Sequence, residues 1–374
     1  MRNWLLLLGL LAAFAPPAQA DDLVYFGTRN DKAGEGIFAA RFDAATGKLT
    51  PIGTVAVMPR PTLVIPHPSL PVVYAVSELG NEGDVEASVS ALAVDKTTGQ
   101  LKPLNTVRTG GGATDMSIDT VSKSLFVANY GAGQLSWLPI LPDGKLGMVT
   151  AIQATYGQGP DERQDRQHPH GVRVDPSHHF VLVADLGADK VFVFRFDAAT
   201  RQLVPAQPGF AATAIGSGPR QLAFHPNGQF LYVLNQINSE VLTYRWDAKL
   251  GRLTQVQALP TELPTFKGVK SAAHIEASAD GRFVYASNRG SDSLVVYAVN
   301  ARKGSLSEVQ RMPAPGKIPF GFALHSSGRW MVVTNNASNT ASVFAVDPAS
   351  GKLTLTAGTM AVSQPANVTF FPTS

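Results

Sequence analysis

The sequence of 374 residues contains no cysteine. Disulfide bonds therefore cannot stabilise the fold, and no thiolate is available as a nucleophile or a metal ligand. Short motifs of common catalytic sites are missing as well: the chain has no G-x-S-x-G segment, no phosphate-binding glycine loop after a strand and no H-E-x-x-H segment. Stability must come from packing, and any catalysis must use side chains that are distant in the sequence.

A large excess of charge of one sign is also lacking. The 31 lysines and arginines against 28 aspartates and glutamates give a formal net charge of +3, and the basic residues are scattered along the chain. Nucleic acid binding normally needs a basic stripe or patch, so no nucleic-acid partner is expected. After residue 20 no apolar run approaches the roughly 20 residues that a membrane-spanning helix needs. No membrane partner is expected for the mature chain.

The first twenty residues have the pattern of a secretory signal peptide. Arg2 provides a positive start, residues 5–14 are an apolar run, and Ala18 and Ala20 form an A-x-A cleavage site. We therefore predict cleavage after Ala20 and a periplasmic or secreted protein. The alternative is an uncleaved membrane anchor.

The rest of the chain, residues 21–374, repeats one pattern of short alternating strands, most clearly at residues 218–253. Arg220 opens the first strand of that unit, the segment from His225 to Gly228 makes a turn, and Gln236 closes the second strand. Such strands are antiparallel, so Arg220 and Gln236 lie at the same end of the hairpin. Alignment on these turns gives seven units of about 50 residues, the length of propeller blades.

Seven units of four strands predict one all-β domain over residues 21–374, a seven-bladed β-propeller. Helical spacing with capping residues is absent. Unit one lacks its opening strand, whereas residues 364–372 form a surplus strand at the end of the chain. We predict that this strand completes the first blade and closes the ring. The alternative, a pair of β-sandwiches, leaves both observations unexplained. The charged segment 156–167 is predicted to be a loop.

In a ring of such units, the first strands begin and the second strands end on one face of the propeller, here called the rim. A small polar residue ends every second strand, which predicts a structural role in binding loop backbone groups. These residues are Thr28, Ser77, Asn129, Asp185, Asn235, Asn288 and Asn335.

The neighbouring rim positions vary from unit to unit, as expected for residues that face a ligand. After the second strands they are Arg29, Glu78, Tyr130, Leu186, Gln236, Arg289 and Asn336. At the start of the first strands they are Thr62, Thr114, His170, Arg220, Ala273, Phe320 and Ala366, with Asp115, Gln221 and His274 one residue later. Arg220, Arg289, His170 and Glu78 thus converge at one end of the channel. The alternative is a set of solvated charges in a water-filled tunnel.

The eight histidines fall into two groups. Five lie in or beside turns at the end opposite the rim: His67, His178, His179, His225 and His325. His168, His170 and His274 begin first strands. A His-x-His pair on a strand places both rings on one face and is compatible with a metal, to which Asp161, Glu162 or Asp165 could add oxygens. No third ligand stands at a diagnostic spacing, so no metal is predicted.

With these residues the chain resembles the lactonase family of seven-bladed propellers, which includes propeller-type 6-phosphogluconolactonases and the fungal carboxymuconate-lactonising enzyme. The resemblance covers essentially the whole mature chain. The matching segments are Glu78, Asn129-Tyr130-Gly131, His168-Pro169-His170, residues 185–191 (DLGADKV), Gly218-Pro219-Arg220, residues 224–228 (FHPNG), residues 280–283 (DGRF) and residues 287–290 (SNRG).

The resemblance implies a cleft at the rim in which His, Arg, Glu and Arg act on a lactone. Carried over, these are His170 with His168 beside it, Arg220, the position of Gln236, and Arg289. Four positions depart from the pattern, which usually has Glu at Gln236, His at Gln221, Glu at His274 and Arg at Phe320. Gln cannot accept a proton, so another group must act as the base if the reaction is retained.

The leading hypothesis is hydrolysis of a sugar-type lactone without a cofactor. His170 is the expected base and Glu78 the second candidate, while Arg220 and Arg289 bind an anionic group or stabilise the oxyanion. The expected substrate-binding residues are His168, Gln236, Gln221, Tyr130, His274 and Arg29. One alternative is a non-catalytic propeller that binds an anionic small molecule or a protein. Another is an isomerase or lyase acting on a lactone-forming diacid. The sequence does not indicate an oligomeric state.

Overall fold

A computed structural model describes residues 21–82 and 85–373 of the chain, and the predicted signal peptide, residues 1–20, lies outside this part. The described residues form short strands and one turn of 3₁₀ helix, Glu162–Gln164. In chain order, the strands of the first half of the chain are β1 (Asp22–Thr28), β2 (Gly36–Asp43), β3 (Lys48–Val57), β4 (Val64–Pro66), β5 (Val72–Ser77), β6 (Ser88–Val94), β7 (Leu101–Arg108), β8 (Ala113–Asp119), β9 (Ser124–Asn129), β10 (Gln134–Pro139), β11 (Ala151–Ala154), β12 (Pro169–Val174), β13 (Phe180–Asp185) and β14 (Lys190–Asp197).

The second half of the chain continues the same series. Its strands are β15 (Gln202–Ala212), β16 (Pro219–Phe224), β17 (Phe230–Asn235), β18 (Glu240–Asp247), β19 (Arg252–Pro260), β20 (Ala272–Ala277), β21 (Phe283–Asn288), β22 (Ser293–Val299), β23 (Leu306–Pro313), β24 (Pro319–Leu324), β25 (Trp330–Asn335), β26 (Thr340–Val346), β27 (Leu353–Ala361) and β28 (Pro365–Phe371).

These strands form seven four-stranded antiparallel sheets, which confirms the predicted seven-bladed propeller. Blades 2 to 7 each use four consecutive strands, beginning with β4, β8, β12, β16, β20 and β24. Blade 1 has the order β28-β1-β2-β3, with Phe371 opposite Leu23 and Asn367 opposite Gly27. The last strand therefore closes the ring as predicted, and this pairing covers an edge of β1 that would otherwise be free.

The first strand of each blade lies innermost and lines a central channel. Neighbouring inner strands contact one another around the ring from β8 through β12, β16, β20, β24 and β28 to β4, while blades 2 and 3 meet through β5 and β8. The second strand of each blade is buried along almost its whole length. These seven strands are β1, β5, β9, β13, β17, β21 and β25. This burial explains why they read as near-continuous apolar segments in the sequence.

Seven apolar clusters hold the blades together, one at each junction between neighbouring blades. A tyrosine hydroxyl adds a hydrogen bond across four of these junctions. Tyr232 of β17, for example, donates to the carbonyl of Gly304, 3.2 Å away in the next blade. Gly304 has a φ of +70°, and a Cβ there would lie 2.3 Å from the Phe230 ring. Glycine is therefore required in this turn for both conformation and space.

Five of the seven small polar residues at the ends of the second strands bind backbone groups, as the sequence predicts: Thr28, Ser77, Asn129, Asp185 and Asn288. Asn335 instead donates to side-chain hydroxyls, and the side chain of Asn235 has no hydrogen-bond partner among the described residues. All seven side chains are almost completely buried. Asp185 Oδ1 accepts hydrogen bonds from the backbone amides of His168 and Ala188, at 2.7 and 2.9 Å. Asn129 Nδ2 donates to the carbonyl of Gln134 at 3.2 Å. These contacts fix the loops of the rim.

The segment predicted as a charged loop, residues 156–167, does precede β12, but it contains the single helical turn of the described chain. Asp161 accepts a hydrogen bond from the amide of Arg163, and the Gln164 side chain returns to Asp161, which completes a capping box. Gln164 is fully buried and also donates to the Leu186 carbonyl at 2.8 Å. The loop is thus tied to blade 4 by a buried amide that hydropathy does not reveal.

The five histidines predicted at turns lie opposite the rim, beyond the ends of the inner strands: His67, His178, His179, His225 and His325. His325 Nε2 lies 2.8 Å from Asp22 Oδ2, and this contact joins blade 7 to β1. None of the helices in residues 21–82 and 85–373 has the length and apolar character needed to cross a membrane.

Candidate active site

The rim opens into a cavity of about 750 Å³ that continues along the central channel. Residues from all seven blades line it. Nine of the ten residues predicted from the sequence are on its wall: Arg29, Glu78, Tyr130, His170, Arg220, Gln221, Gln236, His274 and Arg289. The exception is His168. Residues at the starts of first strands and at the ends of second strands, from separate blades, therefore meet around one opening, as the sequence predicts.

A β-bulge aims the first-strand residues into this cavity. In β12, Pro169 pairs with Asp185 and Gly171 with Ala184, so His170 is an extra residue outside the ladder. Arg220 in β16 and Phe320 in β24 are the extra residues of equivalent bulges. A bulge commonly re-aims a side chain next to a functional site. The same local irregularity thus presents an imidazole, a guanidinium and a phenyl ring from three blades.

Glycine after the bulge allows neighbouring blades to approach closely. A Cβ on Gly171 would lie 2.4 Å from the Arg220 carbonyl oxygen, and one on Gly321 would lie 2.5 Å from that of Ala366. Any larger residue at either position would push the next inner strand away. The His-Gly and Phe-Gly pairs of the sequence therefore serve the spacing of the cavity wall.

His168 lies behind the cavity wall and not on it. Its ring stacks on Tyr130, Nδ1 lies 3.0 Å from the Tyr130 carbonyl oxygen, and Nε2 lies 2.9 Å from Asp165 Oδ1. Only 4% of the residue is exposed. The expectation that His168 and His170 share one face is wrong, because the bulge at Pro169–Gly171 breaks the alternation of the strand and β12 begins only after His168.

His170 is held as a neutral base candidate. Burial lowers the pKa of its imidazole well below the ordinary value, and the positive charges of Arg220 and Arg289 lower it further. Nδ1 is buried and has no hydrogen-bond partner among the described residues. The edge of the Tyr130 ring lies against the imidazole, with 5.7 Å between the ring centroids.

Three guanidinium groups gather around one aromatic ring. The Cζ atoms of Arg289, Arg29 and Arg220 lie 4.9, 5.3 and 5.4 Å from the centroid of Phe320. Burial lowers the pKa of Arg220 to about 10, so this group remains charged near neutrality. Burial also lowers the pKa of Arg289 well below its usual range, and repulsion from Arg220 and Arg29 adds to this effect.

The three arginines have few internal partners. Among the described residues no carboxylate oxygen comes within 4.0 Å of any of their guanidinium nitrogens. Arg220 Nη1 donates to the Ala273 carbonyl, while its Nε and that of Arg289 are buried without an acceptor in the described part of the chain. Buried donors that lack acceptors are costly, so this arrangement suits an anionic ligand.

Glu78 is fixed on the cavity wall by two partners. Asn81 Nδ2 donates to its Oε1 at 2.9 Å, and Arg60 Nη2 lies 3.9 Å from the same oxygen. Arg60 Nε also donates to the Glu78 carbonyl at 2.9 Å. The carboxylate is thus oriented but engaged, which makes it less available than His170 to accept a proton from water.

A second polar layer lies deeper in the channel, and sequence analysis missed its pairing. Arg173 Nη1 lies 2.6 Å from Asp115 Oδ2, and Nη2 donates to Gln221 Oε1 at 3.3 Å. Burial raises the pKa of Glu276 to about 8 and lowers that of His274 to about 3, so both side chains are largely neutral at neutral pH. Arg173 stands three residues after His170, so simple alternation would place the two side chains on opposite faces of β12. The bulge at Pro169–Gly171 breaks this alternation, and both residues line the cavity.

A metal site is not assembled from these groups. In the described residues no three His, Cys, Asp or Glu side chains come together as candidate ligands. Asp165 contacts His168, which separates it from the cavity.

Comparison with known proteins agrees with the fold. Residues 23–370 match the family model described as Lactonase, 7-bladed beta-propeller. The chain is 30% identical over 347 residues to 6-phosphogluconolactonase of Bacillus subtilis, covering 92% of this chain and 97% of that protein. It is 28% identical over 337 residues to 6-phosphogluconolactonase of Formosa agariphila, covering 88% and 94%.

Solved structures give the same result. The periplasmic gluconolactonase of Pseudomonas aeruginosa has a TM-score of 0.89 with this chain at 33% sequence identity, over 95% of this chain and 100% of that one. This protein therefore belongs to the lactonase family of seven-bladed β-propellers.

Proposed function

We propose that the protein is an exported lactonase that hydrolyses an unphosphorylated sugar-type lactone in the rim cavity. The observation that carries this proposal is the meeting of a neutral imidazole, His170, with the unpaired guanidinium groups of Arg220 and Arg289. Relatives named 6-phosphogluconolactonase and gluconolactonase support the reaction class. They also make a non-catalytic binding propeller the less favoured alternative.

In this proposal Nε2 of His170 accepts a proton from a water molecule while the water oxygen attacks the lactone carbonyl carbon. Arg220 and Arg289 stabilise the negative charge that develops on the carbonyl oxygen. The bond between the carbonyl carbon and the ring oxygen then breaks, and the imidazolium returns the proton to that oxygen. The product is an open hydroxy acid, whose carboxyl group loses a proton to solvent.

The other cavity residues would bind the substrate. Gln236, Gln221 and the neutral His274 offer hydrogen bonds suited to sugar hydroxyl groups. Arg29 adds a third positive charge beside the carbonyl oxygen, and Tyr130 supports the His170 ring. His168 would act indirectly, by holding Tyr130. Glu78 is the alternative base.

Export rests on the leader pattern in residues 1–20 and on a relative that is named as periplasmic. Phosphorylated sugar lactones arise in the cytosol, whereas aldonolactones are formed by sugar oxidation outside it. An exported enzyme of this family would therefore act on the unphosphorylated compound.

The test is to titrate acid release by the purified mature chain with glucono-δ-lactone, above the spontaneous rate. We expect clear catalysis that falls at least about a hundredfold in His170→Ala, the usual effect of losing a general base. The control is Arg245→Ala, which removes an exposed arginine that lies over Phe230, outside the cavity. Wild-type protein no faster than the His170 variant would contradict the proposal and favour the binding propeller.

A second comparison tests the substrate class. The same assay with 6-phosphogluconolactone should give a lower kcat/KM than the unphosphorylated lactone. A strong preference for the phosphorylated compound would contradict the assignment to an extracytoplasmic substrate while leaving the lactonase reaction intact.

A further inference from the structure

Phe320 stands at the centre of the positive charge of the cavity. Three guanidinium carbons, from blades 1, 5 and 6, lie between 4.9 and 5.4 Å from the centroid of this single ring. A phenyl ring has two faces, so three cations cannot each have a face to themselves. The ring is therefore a shared contact and not one member of an isolated pair.

The backbone fixes the position of this ring. Pro319 pairs with Asn335 and Gly321 with Thr334, which leaves Phe320 as the extra residue of the bulge in β24. The amide of Gly321 donates to Thr334 Oγ1 at 3.0 Å, and the Thr334 hydroxyl donates to the Gly321 carbonyl at 2.9 Å. Phe320 is thus presented to the channel in the same way as His170 and Arg220.

An aromatic ring can attract these arginines without neutralising them, which a carboxylate could not do. The face of the ring is electronegative and attracts a cation at this distance. Unlike a carboxylate, it accepts few of the five N–H groups of a guanidinium and cancels none of its charge. The arginines therefore keep their charge, and apart from the bond of Arg220 Nη1 to the Ala273 carbonyl their side-chain donors have no acceptor among the described residues.

We propose that Phe320 is a positioning residue that holds Arg29, Arg220 and Arg289 charged, unpaired and directed at the anionic oxygen of the ligand. This inference rests on the proposed function for the identity of that oxygen, the carbonyl oxygen of the attacked lactone or the carboxylate of its product. Phe320 itself makes and breaks no bond in the reaction.

Phe320→Leu tests this role because leucine keeps an apolar side chain of similar reach but has no aromatic face. Gluconate binding, measured by calorimetry, should weaken by about tenfold, a factor between those of an exposed and a fully desolvated cation–π contact. Phe320→Tyr retains the ring and should bind gluconate within about twofold of the wild type. Unchanged binding by Phe320→Leu, or equal weakening in Phe320→Tyr, would overturn the proposal.

Kinetics add a readout that a purely structural defect would not give. The lactone is neutral and becomes anionic only in the transition state, so Phe320→Leu should lower kcat about tenfold and change KM little. Phe230→Leu is the matched control, because it removes another ring that carries an arginine, Arg245 at 5.1 Å, away from the cavity. It should lower stability and leave both gluconate binding and kcat unchanged.

The two proposals fail in different ways. If the wild-type protein binds gluconate but hydrolyses no lactone, the proposed function is wrong while the calorimetric comparison still decides the role of Phe320. If the wild type does not bind gluconate, the arginines are not an anion site and the role of Phe320 is overturned.

Discussion

The imidazole of His168 lies flat on the phenol ring of Tyr130, with 4.1 Å between the centroids and 12° between the planes. Tyr130 in turn meets His170 edge-on. This stack transmits the position of the rim loop to the proposed base. Because both nitrogens of His168 contact oxygens of the protein, the ring has no atom left for a substrate.

His168→Ala should therefore destabilise the fold and lower kcat together. The lost buried contacts should cost about 1–3 kcal/mol of unfolding free energy, since the Tyr130 carbonyl and its loop lose their partner. Urea denaturation and lactone hydrolysis measure the two effects. A rise in KM alone, at unchanged stability, would instead identify His168 as a substrate ligand.

Arg220 and Arg289 should each be essential for rate. Replacing either with alanine is expected to lower kcat about a hundredfold or more, since one well-placed charge partner contributes roughly 3 kcal/mol to the barrier. Lysine restores the charge but not the planar donor set, so it should recover only part of the rate. Arg245→Ala serves as control. Wild-type kcat in either alanine variant would remove that arginine from the mechanism.

The pH profile should report His170. Its pKa is lowered by burial, Arg220, Arg289 and His168, and the base must be neutral to act. The value of kcat/KM should therefore stay constant as pH falls through 6.5 and decline only well below it. Arg289→Gln removes a positive neighbour, so the pKa of His170 and the acid limb should move upward. If the acid limb of the profile does not move in Arg289→Gln, the limb reports the titration of a group other than His170.

Glu276, in the deeper part of the channel, should make the unfolding free energy of the protein depend on pH. Its pKa in the folded protein is about 8 against an ordinary 4.5, so the folded state binds more protons than the unfolded state between these values. Stability should thus fall as pH rises through that window, by on the order of 4 kcal/mol, and Glu276→Gln should flatten the dependence. Denaturation at about pH 5 and about pH 8.5 compares the two proteins. Parallel curves would contradict a neutral Glu276.

The closing strand should be sensitive to single contacts. Asn367 Oδ1 accepts a hydrogen bond from the Val64 amide at 2.9 Å, joining β28 to the inner strand of blade 2. Asn367→Ala should cost about 1 kcal/mol or more of unfolding free energy, whereas Asn227→Ala, at an exposed turn, should cost less than about 0.5 kcal/mol. Equal costs would show that the seam is not specially stabilised by this contact.

Much of the fold could be predicted because strand alternation repeats seven times and because one strand is missing where another is in surplus. The alignment also placed His170, Arg220 and Phe320 at equivalent positions. The direction of their side chains depends on a bulge, which is a feature of pairing between two strands and leaves no clear mark on either one. Simple alternation therefore misplaced His168.

The contacts between cavity residues could not be predicted from the sequence for another reason. Asp115 and Arg173 come from different blades, and so do Phe320 and each of its arginines. A repeat pattern shows which positions are equivalent but not which neighbouring side chains touch. The alignment places Phe320 at the rim, yet only the folded structure shows three cations around it.

Each apolar cluster contains residues of two neighbouring blades, so no blade has a complete hydrophobic core of its own. In a linear array of repeats, melting can begin at an end unit that has one neighbour fewer. A ring has no end unit, and loosening any blade would deprive both of its neighbours of half their packing. The molecule should accordingly lose its structure in one concerted step.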